Sequence, residues 1–306
     1  MQVHRALPTA KILERCALTV GTFDGVHRGH QSLVARLKSE ADARDLPCAA
    51  LTFVDMPYCF FRPDDCPLLL TLADEKIEAF AQTPLDHLFI VPFTREFSQQ
   101  SGREFMGFWR EKIGLELFLG GPDFALGRDR EGDISALKTL GDEMGFETLA
   151  LDAKLIENDF PISSTRCRRI IEDGQVERAI NFLGHPYKMA GEVVSGDQLG
   201  RKIGVPTINI LPNSRKCVPK NGVYAIRAKF EDLLWPAVLN IGMRPTVGGL
   251  KKQIEFHVLD ANIETPPESV EIEFVSRLRD ERKFDGLDAL VSQMKLDMNA
   301  AREILA

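Results

Sequence analysis

Val20-Gly-Thr-Phe-Asp-Gly-Val-His-Arg-Gly-His30 is the stretch on which the fold turns. Before it, Ala17-Leu-Thr-Val20 is a short apolar run that reads as a strand. After it, the residues from about His30 to Ala43 set Leu33, Val34 and Leu37 on one helical stripe. A strand therefore runs through a glycine-rich turn into a helix.

The same alternation continues outward. Cys48–Phe53, Leu88–Val91, Leu115–Leu119 and Phe146–Leu151 read as strands; Ala73–Ala81, Glu104–Ile113 and Ile134–Met144 read as helices between them. Strands alternating with helices of this length imply a parallel sheet with right-handed crossovers. The fold expected is a doubly wound α/β domain, Rossmann-like, with ligands at the carboxyl ends of its strands. Two short helices, Ser163–Glu172 and Val176–Leu183, follow, divided by the stop signal Asp173-Gly174.

Near Gly184 the pattern changes. Gly191–Val194, Gly222–Phe230, Ala237–Asn240, Gln253–Leu259 and Val270–Val275 are strand-like, closely spaced and punctuated by Gly and Pro. Such spacing predicts a small antiparallel barrel, closed by one or two helices between Gly286 and Leu305. The expected domains are 1–183 and 184–306.

Composition bounds the function. A formal charge of -7 over 306 residues argues against a dedicated nucleic-acid binder, which normally shows a basic face. No apolar run approaches the length needed to cross a bilayer, and the first residues lack a secretory signal's apolar core, so no membrane partner and a cytoplasmic address are expected. The six cysteines are scattered without a C-x-x-C pair. Neither a disulfide framework nor a zinc site is expected, and most should be small buried hydrophobes.

The glycine turn carries chemistry. Gly21, Gly25 and Gly29 let backbone N–H groups approach a phosphate, and the helix start supplies an aligned dipole. His27 and His30 can donate hydrogen bonds to oxygens that gain charge in phosphoryl or nucleotidyl transfer. Two surface histidines on an ordinary turn are the alternative. Their place after a strand and at a helix start favours function. A second patch, Pro161-Ile-Ser-Ser-Thr-Arg-Cys-Arg168, opens a helix with Ser163, Ser164 and Thr165 followed by basic residues. It reads equally as an ordinary N-cap or as an anion cradle in which Arg168 clamps a phosphate.

Together these segments resemble the nucleotidyltransferase half of prokaryotic bifunctional riboflavin kinase/FMN adenylyltransferases. That family carries G-x-F-D-G-x-H-x-G-H and I-S-S-T-x-x-R in the same order. A third match is Gly121-Pro-Asp-Phe-Ala-Leu-Gly-Arg-Asp-Arg-Glu-Gly-Asp133. The resemblance implies that Gly21, Phe23, Asp24, Gly25, Gly29, Ser163, Ser164, Thr165 and Arg168 handle ATP. It implies an FMN loop with Asp123, Phe124, Gly127 and Arg130. His27 and His30 would stabilise the ATP α-phosphate while the FMN phosphate attacks in line and pyrophosphate leaves.

The densest signal is Gly191-Glu-Val-Val-Ser-Gly-Asp-Gln-Leu-Gly-Arg-Lys-Ile-Gly-Val-Pro-Thr-Ile-Asn209. Gly196, Gly200, Gly204 and Pro206 force a tight path that lets backbone approach phosphate. Thr207 and Asn209, two apart in an extended segment, point to the same face, and their oxygens suit magnesium, which prefers hard ligands. A structural turn with local hydrogen bonds is the alternative. The segment closely resembles the riboflavin kinase signature G-x-x-x-G-R-x-x-G-x-P-T-x-N. Asn221–Ala225, Asn240–Thr246, Ile254–Asp260 and Leu278–Phe284 follow in the family's order. The resemblance implies a nucleotide and flavin site that includes Arg201, Arg279 and Phe284, with Glu255 taking the proton from the ribityl 5′-hydroxyl. A solvent-facing Glu255, a salt-bridged Arg279 and a core Phe284 are the plainer readings.

The resemblance spans essentially the whole chain. It implies riboflavin, FMN, FAD and ATP as ligands and Mg²⁺ as cofactor, and leaves a homo-oligomer open. Three loops depart from the family pattern: Val54–Met56, Phe124-Ala-Leu126 and Ile263–Pro267. The first two motivate two rival enzyme readings: a riboflavin kinase with an impaired N-terminal half, or an N-terminal half that acts on another acceptor, such as a pantetheine or nicotinate nucleotide phosphate. A non-catalytic flavin-binding regulator would be expected to lack Thr207, Asn209, Glu255 or the histidine pair, and all are present.

Overall fold

The structure is a computed structural model of the 306-residue chain. It describes all residues except 129–130, 152, 154, 197–199, 201–203, 247–248, 262 and 264, and side chains outside 244–251. Arg130 and Arg201 lie outside the described residues. Contacts divide the chain into two compact units, Met1–Ser164 and Thr165–Ala306.

The first unit runs β1 (Gln2–His4), β2 (Cys16–Val20), α1 (Arg28–Asp42), β3 (Cys48–Phe53), α2 (Pro57–Phe61), α3 (Ala73–Ala81), β4 (His87–Val91), α4 (Arg95–Gln99), α5 (Gly102–Ile113), β5 (Leu115–Gly120), β6 (Ala125–Leu126), β7 (Gly132–Asp133), α6 (Ile134–Met144), β8 (Glu147–Ala150), β9 (Ile156–Glu157) and β10 (Phe160–Pro161). Six strands pair in parallel in the order β1-β4-β3-β2-β5-β8. Burial on both faces explains why the central strands are continuous apolar runs. Leu18, Leu51, Phe89 and Phe118 pack with Phe105, Met106 and Trp109 of α5 on one face. Ala17, Ala50, Leu88 and Leu117 pack with Leu33, Val34 and Leu37 of α1 on the other. The direction of strand order reverses between β2 and β5, which puts a ligand crevice at their carboxyl ends.

The second unit starts with α7 (Ser164–Glu172), which spans the division, and α8 (Val176–Leu183). It continues with β11 (Tyr187–Val194), β12 (Ile208–Pro212), β13 (Gly222–Phe230), β14 (Leu233–Thr246), β15 (Gly249–Val258), β16 (Ser269–Arg279) and α9 (Leu287–Leu305). The strands close a barrel in the order β11-β12-β15-β14-β13-β16, and all its pairings are antiparallel. Register shifts at Val223/Tyr224 and Ala225/Ile226 bend β13 against β16, as closure requires. The tail is a single helix, whose Ala301 and Leu305 pack on Ala225 and Leu259.

One expectation is corrected. Cys59 and Cys66 are joined by a disulfide, although no pairing was expected from their scattered spacing. α2 and the following 3₁₀ turn, Pro63–Asp65, double the chain back and bring their Cα atoms to 4.8 Å. The other cysteines, Cys16, Cys48, Cys167 and Cys217, are buried as expected.

Candidate active sites

The turn after β2 holds residues in a conformation that side chains disfavour. Phe23, Gly25 and Val26 have φ of 48°, 83° and 38°, a region in which only glycine is unstrained. Buried bonds hold them there. Asp24 accepts from the backbone N–H groups of Leu70 at 2.9 Å and Thr71 at 3.1 Å. The Gly25 N–H donates to Thr71 Oγ1, Ser164 Oγ to the Asp24 carbonyl, and Gln31 Nε2 to the Val26 carbonyl. Asp24 and Phe23 therefore face inward. The Phe23 ring meets His30 edge-on at 5.0 Å, and Gly29 packs against the His27 ring.

His27 caps α1: its Nδ1 accepts from the His30 N–H at 3.3 Å, which assigns its ring proton to Nε2. The two rings stack with centroids 3.5 Å apart. Burial pushes His27 down to about 4. Burial, with smaller effects from His27 and Lys76, holds His30 well below its ordinary value. Burial thus favours neutral rings at physiological pH, each carrying one ring N–H.

Beside this turn lies a cavity of about 650 Å³ lined by Gly21, Thr22, Phe53, Tyr58, Phe61, Phe93, Phe97, Asp123, Phe124, Ala125 and Gly127. It sits at the carboxyl ends of β2, β3 and β5. Phe53 meets Phe93 and Phe97 edge-on at 5.2 and 5.3 Å, so the wall is aromatic and suits a flat conjugated ring. The sequence marked Gly21, Asp123, Phe124 and Gly127 but not these rings. They come from four separate elements and loops, and no linear spacing joins them. Ser163 precedes α7 and Ser164 is its first residue, with Thr165 and Arg168 further along it.

In the barrel, the register aligns Asn209 with Glu255 and Glu255 with Asn240. Thr207 Oγ1 donates to Glu255 Oε2 at 3.0 Å, and Gln253 Nε2 donates to Asn209 Oδ1 at 2.9 Å. A Cβ on Gly196 would lie 2.1 Å from Asn209 Nδ2, so glycine there allows the close approach. His257 Nδ1 lies 2.7 Å from the Pro206 carbonyl, which makes His257 a structural donor. Gly204 has a positive φ of 77°.

A cavity of about 240 Å³ opens over Thr207, Glu255 and Asn240. Its wall includes Gly200, Thr207, Asn240, Glu255, Arg279, Phe284, Met294 and Asp297. Arg279 is ion-paired with buried Asp297 through Nε at 2.9 Å and Nη2 at 2.8 Å, and its guanidinium lies 5.7 Å from the centre of the Phe284 ring. Arg279 is thus both salt-bridged and part of the cavity wall. Glu255 is half-buried and lines the cavity. Asn240 opened a matched motif without a role of its own and the α9 residues went unmarked in the sequence, because only barrel closure and helix docking bring them to the mouth.

The geometry agrees with the comparisons. A family model described as FAD synthetase matches residues 9–166, and one described as riboflavin kinase matches 183–305. The bifunctional riboflavin kinase/FMN adenylyltransferase of Escherichia coli strain K12 is 37% identical over 292 residues, covering 95% of this chain and 93% of that protein. The chain belongs to the bifunctional riboflavin kinase/FMN adenylyltransferase family. It is accordingly a transferase with a kinase domain and a nucleotidyltransferase domain. A Bacillus subtilis family member is 34% identical over 307 residues, covering 98% and 96% of the two chains. The same fold, with a TM-score of 0.89 and 27% identity over 99% of both chains, occurs in a Streptococcus pneumoniae crystal structure described as a macrolide-efflux protein. Among the described residues, no helix of this family member is long and apolar enough to cross a membrane.

Proposed function

We propose that the barrel unit transfers the γ-phosphoryl group of ATP to riboflavin, and that the parallel-sheet unit adenylylates the resulting FMN to FAD. The observation that carries this reading is that each family match falls on a separate stretch of chain with its own cavity. In the barrel, Glu255 takes the proton of the ribityl 5′-hydroxyl as that oxygen attacks the γ-phosphorus and ADP leaves. Arg279 and Phe284 border the flavin, and Gly196, Gly200, Gly204 and Pro206 border the nucleotide; Arg201 is assigned to the nucleotide by the family motif alone. The donor set fits magnesium: Thr207 Oγ1 and Asn209 Oδ1 are hard oxygens beside a carboxylate. Magnesium bound with ATP would neutralise charge developing on the phosphates.

In the first unit, a phosphate oxygen of FMN attacks the α-phosphorus of ATP and pyrophosphate leaves. The neutral imidazoles of His27 and His30 donate to the α-phosphate oxygens, where added charge is stabilised. The aromatic cavity takes the isoalloxazine ring, with Asp123, Phe124 and Gly127 at its edge; Arg130 is assigned to the FMN loop by the family motif alone. Ser163, Ser164, Thr165 and Arg168 serve the nucleotide phosphates. We set the functional boundary between Leu183 and Gly184, and the working compartment as the cytoplasm, where ATP is available.

A kinase-only reading is favoured by one observation: Ala125 lines the flavin-side cavity in a loop that departs from the family pattern. Chromatography of FMN and FAD after incubation with riboflavin, ATP and magnesium decides between the two. FMN followed by FAD is the expected result. FMN accumulating alone would favour the kinase-only reading.

A further inference from the structure

Lys76 is a fully buried lysine that is not part of the lining of the adjoining cavity. It lies on α3, in phase with buried Phe80, and its ammonium points under the carboxyl ends of two neighbouring strands. Nζ donates to the Phe53 carbonyl at 2.7 Å and to the Thr22 carbonyl at 3.0 Å. The Thr22 carbonyl also accepts from Thr52 Oγ1 at 2.9 Å. Thr22 precedes the strained Phe23–Val26 turn that delivers His27 and His30. Phe53 ends β3 and forms part of the aromatic wall. One buried cation thus ties the backbone of the histidine turn to the backbone of the flavin-side loop.

We propose that Lys76 is a positioning residue for adenylyl transfer, holding the histidine turn and the flavin wall in one frame through the carbonyls of Thr22 and Phe53. The proposal rests on the adenylyltransferase reading of the first unit. A strained turn keeps its shape only while its surroundings over-determine it; removing the buried ammonium takes one donor from the Phe53 carbonyl and leaves the Thr22 carbonyl with Thr52 Oγ1. Misplacement of the catalytic groups by about 1 Å costs on the order of 10²-fold in rate.

The charged and titratable groups around the ammonium are Asp24 in the turn, Asp55 after β3 and His30 on α1. On α3 itself, Glu75 is occupied by the Leu72 N–H at 2.8 Å. Burial outweighs the pull of Asp24 and Asp55 and brings Lys76 down to about 8. As pH rises through that value the ammonium becomes a neutral amine, and the frame loses its charge.

The test is run on the full chain, with FAD formation from FMN and FMN formation from riboflavin measured separately. Lys76→Met is expected to lower kcat for FAD formation on the order of 10²-fold, with a smaller change in the KM for FMN and no change in FMN formation. A second measurement uses the wild-type chain, so it does not depend on the variant folding. Its kcat for FAD formation should fall on the alkaline side, with the midpoint at which the Lys76 side-chain resonance titrates by NMR. Wild-type kcat in a folded Lys76→Met variant, or a kcat limb that does not track the Lys76 resonance, overturns the proposal alone. A wild-type chain that makes no FAD overturns the adenylyltransferase reading and this proposal with it.

Discussion

On the proposed reading, Glu255 and His30 separate the two reactions at the scale of single residues. Glu255→Gln keeps the shape of the side chain and loses the base, so FMN formation should fall about 10²- to 10⁴-fold while supplied FMN is still converted to FAD. His30→Ala should do the reverse, with a loss of about 10²- to 10³-fold in FAD formation. One substitution silencing both reactions in a folded chain would mean that the sites are not separate. The histidine pair also has a thermodynamic signature. His27 titrates near 4 in the folded chain, against an ordinary 6.5. Between those values the unfolded chain binds more protons, so stability rises with pH there and is lost as pH falls from 6.5 towards 4. The melting temperature of the first unit should drop on acidification through that window, with a shallower slope in His27→Gln. An unchanged slope in that variant would assign the effect to other groups. The H-x-x-H pattern made these histidines visible. Lys76 was not, because a lysine between Glu75 and Ile77 on an amphipathic helix looks like an ordinary solvated cation until the Thr22 and Phe53 carbonyls are seen beneath it.

At the scale of elements, α9 is joined to the barrel mouth through one buried carboxylate. Asp297 receives Arg279 through two nitrogens and also accepts from Gln293 Nε2 at 2.7 Å. Breaking a buried ion pair by removing one partner leaves the other charge uncompensated. Asp297→Ala should therefore cost about 3 kcal/mol in urea unfolding of the barrel unit and raise the KM for riboflavin, because Arg279 would no longer be held at the cavity. Stability within about 0.5 kcal/mol of wild type would mark the pair as a weak surface contact. The sheet strands were legible wherever burial on both faces made a continuous apolar run, as in Cys48–Phe53. The strands that escaped lack that signal. β1 is Gln2–His4, an edge strand with no apolar pattern, and Ile208–Pro212 is short and ends in proline. The disulfide escaped for a related reason: only the doubling back of the chain after α2 brings Cys59 to Cys66.

For the molecule as a whole, two ATP-dependent steps on one chain make the product of one site the substrate of the other. Glu255→Gln and His30→Ala proteins mixed in one vessel should convert riboflavin to FAD, with a lag while free FMN accumulates, although neither does so alone. FAD failing to form in the mixture, with each protein active in its remaining reaction, would show that FMN does not pass through solution. The fold class, the change from alternating α/β to a barrel, and the glycine-rich turns were set by the sequence itself. These depend on local periodicity and on glycine, proline and histidine at fixed spacing, which act over a few residues. The aromatic wall, the Asn209–Glu255–Asn240 row, the Arg279–Asp297 pair and the Lys76 clamp were decided only by tertiary structure. Each joins residues distant in the chain whose meeting depends on strand order, barrel register and helix docking, and none of those leaves a mark on local spacing.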